Sequence, residues 1–226
     1  MSDVLFRPVW DALAGRLAHA AVGGDRARRF APDIGWLASA RDDSPESLRA
    51  LAELVPATGT LLLLQADPIV IPPGTTATMT AAAVQMVSAR LVNAACDAPI
   101  VAMTPDDAPA MLELATLTKP GPFAARTPTL GEFWGIKERG VLVAMAGERM
   151  RHTGFTEVSG VCTHPSARGR GYARALSAWV AARIAARGET PYLMAYATNT
   201  AAIELYLTLG FVHHRAMNVA AIALTA

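Results

Sequence analysis

The most constraining feature of the chain is the run TEVSGVCTHPSARGRGYA at residues 156–173. It reads as an apolar strand, a proline stop, a glycine-rich basic loop and the first turn of a helix. Val158, Val161 and Cys162 suit a buried strand. Pro165 has no N–H to offer a sheet ladder and ends it. Leu176, Val180 and Ile184 then fall on one stripe, which predicts a helix over 171–187, and Gly188 is a good stop.

The chemistry follows from that shape. A helix N-terminus carries unpaired N–H groups and about half a positive charge, so it receives anions. Gly169 and Gly171 lack a Cβ and let the backbone close on phosphate oxygens. Arg168, Arg170 and Arg174 add charge around the same loop. The loop suits a diphosphate. It is not the nucleoside-triphosphate loop, which ends in Gly-Lys-Ser/Thr, because it has no lysine. Nor is it the dinucleotide fingerprint, whose third glycine would fall where Arg174 stands. A nucleotide phosphotransferase is therefore disfavoured.

A different pattern fits. Arg168-x-x-Gly171-x-Ala173 resembles the Gln/Arg-x-x-Gly-x-Gly/Ala signature of the GCN5-related N-acetyltransferases (GNAT), whose loop binds the pyrophosphate of acetyl-coenzyme A. The order that follows strengthens it: Pro191-Tyr192-Leu193-Met194-Ala195-Tyr196, then Asn199, then a segment with Tyr206 ending in Leu209-Gly210-Phe211. The resemblance is specific over about 141–219, nearest to the FR47-like branch, looser back to residue 100 and weak before that. It implies an α/β fold with a mixed central β-sheet flanked by helices. Residues 99–226 would be the catalytic domain. Residues 1–98 would be a non-catalytic α/β region, either a degenerate half-copy of the same fold or a family-specific cap.

The same resemblance assigns roles. Main-chain donors at Gly169, Arg170, Gly171, Tyr172 and Ala173 would hold the diphosphate, with Arg168 and Arg174 beside them. The backbone of Val161, Cys162 and Thr163 would pair with the pantetheine arm as a false strand. Glu157, eleven residues before Arg168, stands where relatives carry a general base; regular alternation would put it on one face with Ser159, Val161 and Thr163. A carboxylate in an apolar strand is costly unless paired or functional. Its bland alternative is an edge residue reaching solvent. Tyr206 would protonate the departing thiolate, or pack in the core. Asn199 would touch the coenzyme arm or cap a helix. Phe123, Phe133 and Trp134 would line the acceptor pocket or fill the core.

Composition bounds the rest. Hydrophobic residues make up 52%, enough for a packed core, and a net charge of +1 argues against a general nucleic-acid binder. The charge is uneven: residues 1–98 hold 8 Lys/Arg against 10 Asp/Glu, and residues 99–226 hold 12 against 9. Neither Cys96 nor Cys162 has metal-ligand spacing, and no metal is expected. Cys162 reads as a small core residue, with an acyl-cysteine as the sharper alternative. No secretory signal or membrane span is apparent, so the expected compartment is cytoplasmic. The expected partners are acetyl-CoA and an amine, and the expected state is a monomer or homodimer. An acyl-CoA-binding module without catalysis is the competing function.

Along the chain, helices are expected over 9–21, 45–55 and from Thr104-Pro105-Asp106-Asp107 onward, and strands over 60–65, 100–103 and 141–146. Gly147-Glu148 reads as a hairpin turn. Residues 79–90 fit strand or helix, 30–38 read as irregular or strand, and 93–98 read as a linker.

Overall fold

The computed structural model describes residues 3–90, 97 and 99–225. The chain starts with helix α1, Pro8–Ala14, whose Val9, Ala12 and Leu13 are buried. It stops at Gly15, so the helix expected to residue 21 breaks halfway and returns only as a 3-10 turn, Ala18–Ala20. Strands β1 (Ala21–Gly23), β2 (Ala27–Phe30) and β3 (Leu37–Ala40) run antiparallel. Helix α2, Pro45–Glu53, follows the cap signal: the Ser44 side chain accepts from Ser47 N. It returns the chain to β4 (Leu61–Gln65), parallel to β3.

The ambiguous segment 79–90 belongs to β5, a 14-residue strand from Thr75 to Ser88. Ala83 and Val87 pack toward α1, and Gln85 donates to the α1-side carbonyl of Leu5 at 3.0 Å. Val84 and Met86 pack on the other face. That period of two is the strand signature, diluted in sequence by the alanines.

The second half is β6 (Ile100–Ala102), α3 (Ala108–Thr118), β7 (Phe133–Glu138), β8 (Val141–His152), β9 (Phe155–Thr163), α4 (Tyr172–Ala186), β10 (Thr190–Tyr196), α5 (Thr200–Thr208) and β11 (Phe211–Leu224). The turn expected at Gly147-Glu148 is absent. Both residues lie inside β8, and the hairpin turns fall at Arg139-Gly140 and Gly154, all with positive φ. Gly147 is small for a different reason: a Cβ there would sit 2.3 Å from ring atoms of Phe133.

All eleven strands form one sheet, in the order β1-β2-β3-β4-β11-β5-β10-β9-β8-β7-β6. The order is close to a palindrome. In each half an antiparallel set leads into a parallel pair joined by a helix: β3/β4 through α2, and β9/β10 through α4. Each half then sends its last strand across. β5 pairs with β10, β11 pairs with β4, and the two exchanged strands pair with each other. Among the described residues the strand pairing of the first half thus parallels that of the second, and one sheet spans the expected boundary at 98. Of the expected linker 93–98, all but Asp97 lies outside the described residues. Two main cores cover the sheet's faces, one under α1 and one under α4 and α5.

Candidate active site

The site begins where two strands part. β9 and β10 pair only through Phe155–Glu157 and Thr190–Tyr192, yet β9 runs on to Thr163 and β10 to Tyr196. Beyond Glu157 the edge of β9 that faces β10 has no ladder partner. Backbone groups left this way need a partner from solvent or ligand. The wedge opens a cavity of about 770 Å³. Thr163 Oγ1 is buried beside it and has no hydrogen-bond partner among the described residues.

At one end of the cavity lies the N-terminus of α4. Gly169 and Gly171 have φ of +79° and +77°, the left-handed region that glycine enters without strain. No acidic residue stands in the helix's first turn. Arg168 and Arg174 line the cavity with Gly169, Gly171, Tyr172 and Ala173. Arg170 does not. Its guanidinium turns away to Glu138, Nη1 to Oε1 at 2.7 Å, and to the carbonyl of Ser166. Tyr172 also donates its hydroxyl to Glu138, at 2.9 Å. Those two contacts, Tyr172 first, hold the Glu138 carboxyl below its usual range. So the Arg170 side chain does not face the cavity. The positive-φ glycines, the open strand edge and the orphaned hydroxyl together fit a diphosphate on an extended amide-bearing arm.

The other end holds Tyr206, Arg149 and Glu157. Tyr206 sits on α5 against Phe211, ring centroids 6.0 Å apart. Burial, then the charge of Glu157, pushes its phenol up to about 12. Asn199 caps α5, its side chain accepting from Ala202 N at 3.3 Å, and it also lines the cavity. Cys162 packs its side chain with Met111, Leu114 and Phe123 on the α3 side, and burial pushes its thiol up to about 11. That favours the core reading over an acyl-cysteine.

Glu157 departs from the alternation argument. A step of two along β8, Met145 to Gly147, is matched by a step of three along β9, Cys162 to Ser159, so β9 carries a bulge. Gly160, with φ +64°, absorbs it beneath Phe133. Val158 and Val161 consequently join one core, under α4, although a spacing of three would split them. Glu157 is therefore not on the face of Val161. It is 1% exposed, and its carboxylate accepts from Arg149 Nε and Nη2 and from Met150 N at 2.9, 2.7 and 3.2 Å. It is a paired residue, not an edge residue reaching solvent.

Phe123, Phe133 and Trp134 do not line the cavity. All three are buried, Phe123 and Phe133 edge-to-face at 5.8 Å and Trp134 under Arg183. The lining that sequence reasoning missed comes from Arg149, from Lys119 to Pro122, and from the first half: Leu37, Leu62, Leu64 and Ala83. Only the sheet's exchanged strands bring the last four there. The counterpart wedge between β3 and β4 is nearly closed, about 10 Å³. At its helix start, Asp42 accepts from Ser44 N at 3.1 Å, a carboxylate standing where an anion would otherwise dock. Among the described residues no group of His, Cys, Asp and Glu could hold a metal, and no helix is long and apolar enough to cross a membrane.

The comparisons with known proteins identify the fold that carries this wedge and its glycine-led helix start. The model of the FR47-like protein family matches residues 133–219. A crystal structure of a protein described as a GNAT-family acetyltransferase, from Novosphingobium aromaticivorans, is 41% identical over the whole of both chains, with a TM-score of 0.93. A GCN5-related N-acetyltransferase from Kribbella flavida shares the fold at 18% identity, with a TM-score of 0.70, over 100% of this chain and 97% of that one. No curated protein matches the chain. The chain belongs to the GNAT family, with the FR47-like pattern in its second half.

Proposed function

We propose that the protein transfers an acetyl group from acetyl-CoA to a primary amine of a small molecule or peptide, by direct attack in a ternary complex. The observation that carries this reading is the open wedge between β9 and β10, with the α4 N-terminus at one end and Tyr206 beside the Arg149–Glu157 pair at the other. Acetyl-CoA, when bound, supplies the activated acetyl thioester. Main-chain amides at Gly169, Arg170, Gly171, Tyr172 and Ala173 take the diphosphate, and Arg168 and Arg174 offset its charge. The free edge at Val161, Cys162 and Thr163 aligns the pantetheine arm, and an amide there polarises the thioester carbonyl. Asn199 stands beside the same arm.

Glu157 removes the amine's proton, through the lone pairs that Arg149 and Met150 leave free or through one water. Arg149 fixes the carboxylate's direction. Tyr206 delivers a proton to the departing thiolate, and a phenol raised to about 12 remains a donor at any physiological pH.

One observation favours a second reading, an acyl-CoA-binding module without turnover: three hydrogen bonds already hold Glu157. Thiol release from acetyl-CoA over an amine panel separates the two, with Glu157→Gln and Tyr206→Phe as controls. Turnover lost in both variants while calorimetric binding persists supports the enzyme. Tight binding with no thiol release on any amine supports the module.

A further inference from the structure

Resting on the transferase reading, we infer that the acceptor is a free α-amino acid with an apolar side chain, and that the first half of the chain selects it. The cavity has two unlike walls. Leu62, Leu64, Ala83 and Val219 belong to the core that packs with α1, whereas α4 and α5 pack with the opposite core. The aliphatic wall, completed by Leu37 and Met194, therefore lies across the sheet from the anion-receiving helix start. One reactant enters over α4, and the other has this second wall.

The charges are placed to match. Apart from the loop arginines, the charged side chains lining the cavity are Lys119, Arg149 and Glu157. Arg149 spends Nε and Nη2 on Glu157, which leaves Nη1 without a partner among the described residues. That nitrogen lies 4.0 Å from where a Cβ on Gly121, another lining residue, would sit. A carboxylate and a guanidinium are thus fixed side by side. An α-amino acid carries an amine and a carboxylate on one carbon, in the complementary order. Its amine lies at Glu157, its carboxylate at Arg149 Nη1 with Lys119 nearby, and its side chain among the leucines. A simple amine or a peptide N-terminus would leave Nη1 unpaired, which a site of this kind penalises.

The test uses the full chain, acetyl-CoA and matched acceptors: leucine, leucinamide, 3-methylbutylamine, serine and a leucyl peptide. Leucine is expected to exceed each of the others by at least tenfold in kcat/KM. Leu64→Ala is expected to shift preference from leucine toward phenylalanine severalfold with the KM for acetyl-CoA unchanged. If that variant fails to fold, the wild-type acceptor series decides alone. Binding of acetyl-CoA with leucinamide, 3-methylbutylamine, serine or the peptide matching leucine as acceptor overturns this inference and leaves the transferase standing. Binding with thiol release on none of the acceptors overturns it as well. Absence of acetyl-CoA binding overturns the transferase reading itself.

Discussion

Arg149 holds Glu157 by two parallel hydrogen bonds, Nε to Oε2 at 2.9 Å and Nη2 to Oε1 at 2.7 Å, in the lining of the cavity. A fork of this kind fixes a carboxylate's orientation as well as its charge. Removing one partner of a buried pair costs about 3–5 kcal/mol, because the other charge is left alone. Arg149→Met is therefore expected to lower the melting temperature by about 6–20 °C for a chain of this size. Glu157→Gln keeps the shape but leaves the Arg149 charge uncompensated, so it should also lower the melting temperature, and it should reduce turnover at least about 100-fold. Scanning fluorimetry and thiol-release kinetics on the two variants check both.

As the proposed proton donor, Tyr206 is expected to set the alkaline behaviour. Its phenol titrates at about 12 in the fold, against an ordinary value of about 10. It stays protonated as pH rises through 10 and is lost only toward 12. The alkaline limb of kcat is thus expected to lie above pH 10. Tyr206→Phe should lower kcat by about 100-fold or more, with acetyl-CoA affinity unchanged. A kcat profile from pH 6 to 10.5 with a break attributable to Tyr206 below 10 would contradict this.

His152 makes the fold acid-sensitive. It is 2% exposed, its Nε2 lies 2.8 Å from the Tyr192 hydroxyl, and burial, with the charge of Arg16 second, lowers it to about 4. The unfolded chain binds this proton near pH 6.5, so it holds more protons than the fold between about 6.5 and 4. Stability from this group is complete above 6.5 and is lost as pH falls through 4, at most about 3 kcal/mol. Urea unfolding at pH 7 and 4.5 should show the fall, and His152→Gln should flatten it.

At the loop proposed to take the diphosphate, backbone is expected to outweigh side chain. A Cβ at Gly171 would meet nothing within 4 Å, but its φ of +77° costs about 1–2 kcal/mol for a residue with a side chain, and the amides move with it. Gly171→Val should weaken acetyl-CoA at least tenfold by calorimetry. Arg170→Ala, already committed to Glu138, should change it less than threefold.

The same titration should give one acetyl-CoA per chain. The counterpart wedge is nearly closed and Asp42 sits at its helix start. Two sites per chain would refute the asymmetry between the halves.

What could be read in the chain was local. The loop glycines, the cap at Ser44 and the cap at Asn199 each depend on neighbours within a few residues. What failed depended on distant partners. Gly147 looks like a turn until Phe133 is seen lying over it. The bulge at Gly160 reverses the faces of β9, and one extra residue is invisible to a count of alternation. The four residues of the first half that reach the cavity read simply as buried strand, because nothing near them announces which sheet neighbour they acquire.

The crossing of β5 and β11 ties the protein's two ends to each other. A fragment beginning at residue 99 would keep its loop, helix α4 and Tyr206, yet lose the filling between β10 and β11. Its central ladder would be torn, with raw main chain bared on both lips of the gap. The loop and the cavity are thus hostage to strands supplied by the other half, and any shortening of this gene must stop before that interleaved pair.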